Sequence, residues 1–361
     1  MSALRTLRFI HCYLGRGESE VQEREVVIRA GTQEVEGSWF LPSAGRPSAR
    51  WVVLHGITVP GRRHPSLLRF VRALAASGAG VLVPEVPAWR NLDVDPAPTV
   101  PTLTGALDRI DAEFGPAANG AGVIGFSFGA TQAVLAAAHP TLRSRLGAVV
   151  GFGGYAELGR VARFMFTGEH EWRGKAYRAE PDPYARWILA GNHLTRVEGC
   201  GEMGRVAERV LRLATESGER GVLATHASVE ELRRELDRGL TPEEREVWEV
   251  VAPPAGSSPP RARAEALADA LTEAALGAHP GLDPRGRLDG LGSAVILAHG
   301  TGDRMIPFSE TLRLHQLLPA ALRRAPPTLT EVIAHSRREG RPGALEQLTF
   351  ARLLARCLRA V

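Results

Sequence analysis

The chain has 361 residues, of which 44% are hydrophobic and 23% are charged, and its formal net charge is +4. This length and apolar fraction suffice for one large domain or two ordinary ones, and they exclude disordered, collagen-like and disulfide-scaffold chains. Lys175 is the only lysine, so 43 of the 44 basic residues are arginine. The arginines are spread along the chain among acidic residues, as over residues 205–212. A nucleic-acid-binding protein would concentrate them on one face, so we expect no nucleic-acid partner.

The cysteines and the apolar runs indicate a cellular compartment. Cys12, Cys200 and Cys357 lie far apart and have neither CxxC nor metal-ligand spacing, which predicts free thiols in a reducing compartment. Residues 1–17 lack the continuous apolar run and the cleavage site of a signal peptide. No stretch approaches the ~18 uncharged apolar residues that a membrane span needs. We therefore expect a cytoplasmic protein without a membrane span.

Up to residue 154, predicted strands and helices alternate. Residues 24–41 alternate apolar and polar side chains around Gly31, which predicts an antiparallel hairpin. Short apolar runs then predict strands, and apolar residues at helical spacing predict helices, in the order strand 50–54, helix 66–77, strand 80–83, helix 103–114, strand 121–126, helix 130–138 and strand 146–152. This alternation is typical of an α/β protein with a mostly parallel central sheet flanked by helices.

Between residues 155 and 290 the apolar strands disappear. Amphipathic patterns predict helices at 203–217, 228–238, 242–251 and 261–276, with a Pro/Gly/Ser-rich connector at 252–260. The alternation then resumes with strand 294–298, helix 309–318, strand 329–333 and helix 343–361. We therefore predict a core formed by residues 1–154 and 291–361, and an all-helical cap, residues 155–290, inserted after the sixth strand.

The sharpest local signal is the run Gly125-Phe126-Ser127-Phe128-Gly129, which matches G-x-S-x-G. It follows the predicted strand 121–126 and precedes an alanine-rich helix, and this strand–turn–helix context is what a nucleophile elbow requires. Flanking glycines let the strand and the helix approach closely, so that the serine hydroxyl projects at a helix N-terminus that favours a developing anion. Ser127 is the candidate nucleophile.

With this motif the chain resembles the α/β-hydrolase superfamily, in particular the catalytic cores of serine esterases, dienelactone hydrolases and prolyl oligopeptidases. In that family the catalytic serine, acid and histidine follow one another in this order along the chain. Residues 299–307, HGTGDRMIP, come directly after strand 294–298 and resemble the acid-bearing loop, which implies Asp303 as the acid. The histidine follows the next strand in this family, which implies His335.

The resemblance implies a role for each of these side chains. His335 would take the proton of Ser127 and later return it to the leaving group, and Asp303 would fix the imidazole tautomer and stabilise the imidazolium. Both lie after predicted strands, at the carboxyl edge where ligands bind in open α/β sheets. Glu157, after strand 146–152, is the alternative acid.

Two backbone N–H groups should stabilise the oxyanion in such an enzyme. One would be that of Phe128, the residue after the nucleophile. The other would come from the loop after strand 50–54, which reads His55-Gly56-Ile57-Thr58 and resembles the family's HG loop. Ile57 is the first candidate for this second donor and Thr58 the alternative.

Aromatic residues beside the serine and at the start of the insertion are candidate walls of a substrate pocket. They are Phe126, Phe152, Tyr155, Phe164 and Phe166. Ordinary packing between cap and core is the alternative explanation for each of them. If they line the pocket, the substrate is a predominantly apolar ester of small to medium size.

The resemblance therefore predicts a serine hydrolase that cleaves a small-molecule carboxylic ester through an acyl-enzyme. A peptidase, a thioesterase and an acyltransferase remain alternatives, because all three use the same triad. A non-catalytic binding protein of the same fold is a further alternative. We expect no cofactor and no metal. Residues 120–125 match G-x-G-x-x-G, but they run into the serine motif instead of opening a helix, so a dinucleotide site is not predicted.

Overall fold

A computed structural model describes residues 2–15, 21–323, 325–332 and 343–361. Ten strands run through these residues. They are β1 (Val21–Ala30), β2 (Gln33–Pro42), β3 (Ala49–Leu54), β4 (Ala79–Pro84), β5 (Ala121–Phe126), β6 (Leu146–Phe152), β7 (Glu169–Trp172), β8 (Lys175–Arg178), β9 (Ala294–Gly300) and β10 (Thr328–Thr330).

Eight of these strands form one sheet in the order β1-β2-β4-β3-β5-β6-β9-β10. Strand β2 runs antiparallel to both of its neighbours, and all other neighbouring pairs from β4 to β10 are parallel. The predicted hairpin and the mostly parallel sheet are therefore confirmed. The carboxyl ends of the parallel strands share one edge of the sheet, where β3, β5, β6 and β9 all pass into loops.

Thirteen α-helices accompany the strands in the described residues. They are α1 (Ser2–Tyr13), α2 (Pro65–Ala76), α3 (Pro87–Arg90), α4 (Thr99–Phe114), α5 (Phe128–Ala138), α6 (Leu158–Thr167), α7 (Pro183–His193), α8 (Gly204–Arg220), α9 (Ala227–Leu236), α10 (Pro242–Val251), α11 (Arg261–Ala278), α12 (Phe308–Leu317) and α13 (Ala344–Cys357). None of the helices in the described residues is both long and apolar enough to span a membrane.

The sheet carries a hydrophobic cluster on each face. On one face, Phe9 of α1, Phe70 of α2 and Phe350 of α13 pack together with apolar side chains of the parallel strands. On the other face, helices α4 and α5 pack against the sheet, and the apolar sides of the inserted helices belong to the same continuous cluster. The insertion is thus joined to the core through buried apolar contacts.

The insertion contains the four predicted helices as α8 to α11. We expected it to be all-helical, and this prediction is wrong because it also contains two strands. Strands β7 and β8 form an antiparallel hairpin that closes through Arg173 and Gly174. Both residues have positive φ, 51° and 79°, as a tight two-residue hairpin turn requires, and glycine adopts this conformation readily. Two further helices, α6 and α7, precede the four that the sequence pattern predicted.

Candidate active site

Ser127 lies on a sharp turn between β5 and α5. Its φ is +55° and its ψ is −126°, a backbone conformation that non-glycine residues rarely adopt. Its N–H donates to the carbonyl oxygen of Phe152 over 2.8 Å, which ties the turn to the end of the neighbouring strand β6. The strand, the strained serine and the helix form the turn that the G-x-S-x-G pattern predicts.

Glycines around Ser127 make this turn sterically possible. A Cβ on Gly125 would collide with the carbonyl oxygen of Gly129, and a Cβ on Gly129 would collide with that of His55. A Cβ on Gly56 would lie 3.1 Å from the Cβ of Ser127 and 3.6 Å from its Oγ. Strand β5, helix α5 and the loop after β3 therefore meet backbone against backbone at the serine.

Two backbone N–H groups near the serine are available as oxyanion donors. The N–H of Thr58 donates to the carbonyl oxygen of Trp89 over 3.2 Å and is already used. The N–H groups of Phe128 and Ile57 donate to no residue that the structure describes. This difference favours Ile57 over Thr58 as the second donor, with Phe128 as the first.

The buried ring of His55 supports the loop after β3. Its Nδ1 lies 2.7 Å from the carbonyl oxygen of Gly56, so Nδ1 carries the proton. Its Nε2 lies 2.9 Å from Oε1 of Glu85 and 3.0 Å from the backbone nitrogen of Val86. The ring also meets the indole of Trp89 edge to face. His55 therefore has a structural role in shaping this loop.

Glu85 and Arg62 complete this support, and the sequence pattern did not indicate either of them. Burial by itself would raise the pKa of Glu85, but hydrogen bonds from His55 and from the Arg62 backbone, with the charges of both residues, outweigh burial and lower it. The guanidinium of Arg62 is almost fully buried and pairs with Glu36 (2.7 Å) and Glu25 (2.9 Å). The oxyanion loop is thus linked through charges to β1 and β2.

Asp303 lies in the loop after β9 and is buried. Its Oδ1 accepts the backbone N–H groups of Met305 (2.9 Å) and Ile306 (3.1 Å), and its Oδ2 lies 3.2 Å from Nε2 of His299. The other ring nitrogen of His299 lies 2.6 Å from the hydroxyl of Thr311, which donates to the carbonyl oxygen of Gly154 over 2.8 Å. A buried polar chain therefore connects the candidate acid with the turn after β6.

Ser127 and Asp303 follow strands that are separated only by β6. At the shared edge, the N–H of Gly153 donates to the carbonyl oxygen of Ala298 over 2.9 Å, which continues the ladder from the serine turn to β9. Two strand spacings amount to about 10 Å, a distance that a histidine on a third loop can bridge. His335 lies outside the described residues, five positions after the end of β10. Its role stays a prediction.

Glu157, the alternative acid, is occupied by arginines. Its carboxylate oxygens lie 2.9 Å from Nε of Arg160 and 3.3 Å from a terminal nitrogen of Arg285, at the start of α6. These partners are exposed side chains of the insertion, whereas Asp303 is buried and bonded to loop backbone. The surroundings favour Asp303 as the acid.

A second buried carboxylate, on Glu310 of α12, was not indicated by any sequence motif. Its Oε2 accepts the N–H groups of Ala156 (3.2 Å) and Glu157 (3.0 Å), and Arg313 lies 3.6 Å from Oε1. Burial raises the pKa of Glu310 to about 7, against the opposing effect of these hydrogen bonds and of the arginine charge. The carboxyl group holds the turn through which the chain enters the insertion.

The five aromatic residues predicted to line a pocket are mostly occupied by packing. Phe126 and Phe152 stack on each other at 5.0 Å between ring centres and pack against Phe70 of α2. The remaining three, Tyr155, Phe164 and Phe166, are buried where the insertion meets the core. The hydroxyl of Tyr155 donates to the carbonyl oxygen of Leu282. The ring of Phe164 meets His170 edge to face, and the ring of Phe166 lies under the guanidinium of Arg186. Only Phe126 keeps appreciable exposure, so the pocket assignment stays a prediction.

His170 lies on the hairpin of the insertion and contacts α12. Its Nδ1 is 3.1 Å from the hydroxyl of Ser309, and its ring stacks on Tyr177 at 5.1 Å between ring centres. The hairpin thus packs beside the helix that follows the Asp303 loop.

Within the described ranges, no group of three or more histidine, cysteine or acidic side chains is arranged to hold a metal ion.

Solved structures share this architecture. An esterase of Pyrococcus furiosus superposes with a TM-score of 0.51 at 12% sequence identity, over 94% of this chain and 91% of the esterase. A hypothetical protein of Pseudomonas aeruginosa gives 0.51 at 14% identity, over 95% of each chain. An acylaminoacyl peptidase of Pyrococcus horikoshii gives 0.48 at 10% identity, and 90% of this chain spans only 39% of the peptidase. No protein-family model and no curated protein matches the chain.

The esterase and the hypothetical protein each match over almost the whole of this chain. The chain has the α/β-hydrolase fold, with a mostly parallel eight-stranded sheet between helices, as the sequence resemblance implies. At such low identities a structural match shows the fold alone.

We predict that Gly125→Ala destabilises the protein. The added Cβ would meet the backbone of Gly129 and Ala130, and neither atom belongs to a flexible side chain that could yield. Overpacking of this kind costs roughly 1–3 kcal/mol of the free energy of unfolding, measurable by urea denaturation. Gly277→Ala, on α11, is the control, because beyond the backbone of its own helix nothing lies within 4 Å of the position of its Cβ. Equal stability of Gly125→Ala and the wild type would contradict the backbone contact.

Glu310→Gln is expected to remove a pH dependence of stability. The pKa of Glu310 is about 7 in the folded protein, against an ordinary value of 4.5, so the folded state binds more protons between these values. The wild type should therefore lose free energy of unfolding as the pH rises from about 4.5 to about 7. The glutamine keeps an oxygen for the two N–H groups and does not titrate.

Urea denaturation at about pH 5 and about pH 8 measures this loss for the wild type and for Glu310→Gln. Glu273→Gln, at an exposed position on α11, is the control. It shows how far the replacement of any glutamate by glutamine changes the pH dependence of the free energy of unfolding. If the wild type and Glu310→Gln lose the same stability across this range, the raised pKa of Glu310 is wrong.

Proposed function

We propose that this protein is a serine hydrolase that cleaves a carboxylic ester through an acyl-enzyme. The observation that carries the proposal is the strained Ser127 between β5 and α5, with the unused N–H groups of Phe128 and Ile57 in the adjoining turns. A strained serine at a helix N-terminus beside two backbone donors is the arrangement that acyl transfer requires. The esterase among the structural neighbours agrees with this reaction class.

The reaction follows from where protons and charge must go. His335 takes the proton of the Ser127 hydroxyl as Oγ attacks the ester carbon, and the carbonyl oxygen becomes an oxyanion that Phe128 and Ile57 stabilise. The imidazolium then returns its proton to the leaving alcohol, which departs and leaves the acyl group on Ser127. A water molecule, deprotonated by His335, hydrolyses this acyl-enzyme in the same way.

Asp303 would hold the histidine in the tautomer that this cycle needs. Its carboxylate already accepts two backbone N–H groups and lies beside His299, so the loop fixes its position before any substrate binds. A charged, preorganised acid stabilises the imidazolium that forms when the histidine takes a proton. No step of this reaction requires a cofactor or a metal ion.

We further propose that the substrate is a small-molecule ester with a predominantly apolar acyl or alcohol group. Beside the serine, Phe128 meets the buried indole of Trp89 edge to face at 5.2 Å between ring centres, and the partly buried Phe126 adds apolar surface. The cap formed by the insertion would enclose such a group. The cysteine pattern leads us to place the enzyme in the cytoplasm.

The direct test of Ser127 is covalent labelling with a fluorophosphonate probe. The wild type should be labelled and should hydrolyse p-nitrophenyl esters, with higher activity on short to medium acyl chains than on long ones. Ser127→Ala should lose both labelling and hydrolysis, because no other hydroxyl occupies the turn. Labelling that persists in Ser127→Ala would disprove the nucleophile, and activity confined to peptides or thioesters would replace the ester by another acyl donor.

The acid is tested by a pair of isosteric changes. Asp303→Asn should lower kcat by about 10³–10⁴-fold, because the asparagine amide would stabilise the wrong tautomer of the histidine. Glu157→Gln should leave kcat within a few-fold of the wild type, since its carboxylate pairs with surface arginines. Steady-state kinetics on the same p-nitrophenyl ester separate the two. The opposite ranking would move the acid to Glu157.

A further inference from the structure

Trp89 of α3 is fully buried and lies between the two segments that carry the candidate oxyanion donors. Its carbonyl oxygen accepts the N–H of Thr58, in the loop after β3, over 3.2 Å. Its indole meets the ring of His55 at 5.7 Å between ring centres and the ring of Phe128 at 5.2 Å, in both cases edge to face. One residue therefore contacts both the loop after β3 and the first residue of α5.

The contacts of Trp89 bear on both peptide groups that flank Ile57. The peptide group after Ile57 contains the N–H of Thr58, which the Trp89 carbonyl oxygen holds. The peptide group before it contains the carbonyl oxygen of Gly56, which lies 2.7 Å from Nδ1 of His55. A trans peptide group is planar and its N–H points away from its carbonyl, so the position of the Gly56 oxygen sets the direction of the Ile57 N–H. Trp89 therefore acts on this direction twice, once directly and once through the His55 ring.

The indole of Trp89 also packs against Phe128, whose N–H is the first candidate donor. The two ring planes lie at 87° to each other, which is the edge-to-face arrangement that aromatic pairs favour. The ring of His55 meets the same indole at 80°. The indole thus contacts the ring of each donor segment and sets the spacing between the two segments.

A hydrogen bond holds this indole in one orientation. Its Nε1 donates to the carbonyl oxygen of Asp95 over 2.8 Å. Four other buried indole nitrogens have no hydrogen-bond partner in the part of the chain that the structure describes; they belong to Trp39, Trp51, Trp187 and Trp248. Because a buried N–H that loses its partner is unfavourable, the bond to Asp95 specifies the orientation of Trp89, whereas packing alone orients the other four.

Asn192 of α7, in the insertion, holds residues 92–95, the segment that provides this carbonyl oxygen. Its Nδ2 donates to the carbonyl oxygen of Leu92 over 2.8 Å, and its Oδ1 accepts the N–H of Val94 over 3.4 Å. Leu92 has a φ of +63°, a conformation that non-glycine residues keep only where their surroundings impose it. The N–H of Leu92 in turn donates to the carbonyl oxygen of Trp89 over 3.2 Å. The insertion therefore reaches the indole through one side chain and one short segment.

We propose that Trp89 is a positioning residue for the oxyanion hole, and that Asn192 of the insertion fixes its orientation. Trp89 is fully buried, so it acts through the donors of Ile57 and Phe128 and does not touch the substrate. This inference rests on the proposed function, and it gives the insertion a part in the reaction. The positioning matters most in the transition state, when the oxyanion forms and both N–H groups must point at it.

The test is Trp89→Phe, which keeps an aromatic ring and removes the indole N–H. On p-nitrophenyl butyrate we expect kcat to fall about tenfold with KM within about twofold, because a misdirected donor weakens binding of the transition state and leaves binding of the substrate unchanged. The apparent pKa values that limit the pH profile of kcat/KM should not shift, since the catalytic acid and base keep their surroundings.

Trp248→Phe on α10 is the matched control, because it makes the same change at another buried indole. Both variants should lose melting temperature by a similar amount, since each leaves unfilled space in the apolar interior, but only Trp89→Phe should lose kcat. A wild-type kcat in Trp89→Phe, an equal loss of kcat in both variants, or a KM that rises in step with the fall in kcat would overturn the inference.

Asn192→Ala gives a second measurement, which decides the question even if Trp89→Phe does not fold. It removes the hydrogen bonds to Leu92 and Val94 and should lower kcat about threefold at an unchanged KM. In the Trp89→Phe background it should have no further effect on kcat, because both changes act on the same indole. An unchanged kcat in Asn192→Ala, or additive effects in the double variant, would contradict the proposal.

Fluorophosphonate labelling of the wild type separates this inference from the proposed function. If Ser127 is not labelled, the serine hydrolase itself is wrong. If Ser127 is labelled and Trp89→Phe keeps its kcat, only the role of Trp89 is wrong.

Discussion

The close approach of three backbone segments at Ser127 is the constraint on which the rest of the site depends. Helix α5 can begin directly at the end of β5 only because Gly125 and Gly129 leave room for each other's backbone, and the oxyanion loop can pass the serine only because residue 56 is glycine. This crowding maintains the positive φ of Ser127 and leaves the first N–H of α5 unused. Because this backbone conformation is strained, it persists only where the surrounding side chains hold the adjoining loops in place.

Two buried polar networks provide that support, one behind each loop. His55, Glu85 and Arg62 connect the oxyanion loop with β1 and β2, and His299 connects Asp303 with the turn after β6 through Thr311. Each network satisfies polar groups that would otherwise be unpaired in an apolar interior, so it also restricts the loops to one arrangement. Rigid loops are what preorganised electrostatic stabilisation requires.

Much of this fold could be predicted because short sequence patterns indicate its strands and its serine turn. Apolar runs ending at glycine or proline mark the parallel strands, and the serine turn and the acid loop are short motifs; the triad histidine, outside the described residues, stays a prediction from the family order. The β7–β8 hairpin was missed because its strands have only four residues each and half of these residues are charged, so that no apolar run marks them. Arg62 and Glu310 were missed because the groups with which they form hydrogen bonds lie 23 to 154 residues away along the chain, where no local pattern indicates a contact.

The continuous apolar cluster beneath the insertion has a consequence for cooperativity. Since the inserted helices and one face of the sheet bury the same side chains, neither can lose its structure without exposing apolar surface of the other, at about 25 cal/mol for each Å². The insertion and the core should therefore behave as one cooperative unit, although they are separate along the sequence. Substrate would then enter through rearrangement of short segments, because a rigid swing of the whole insertion would open the hydrophobic core.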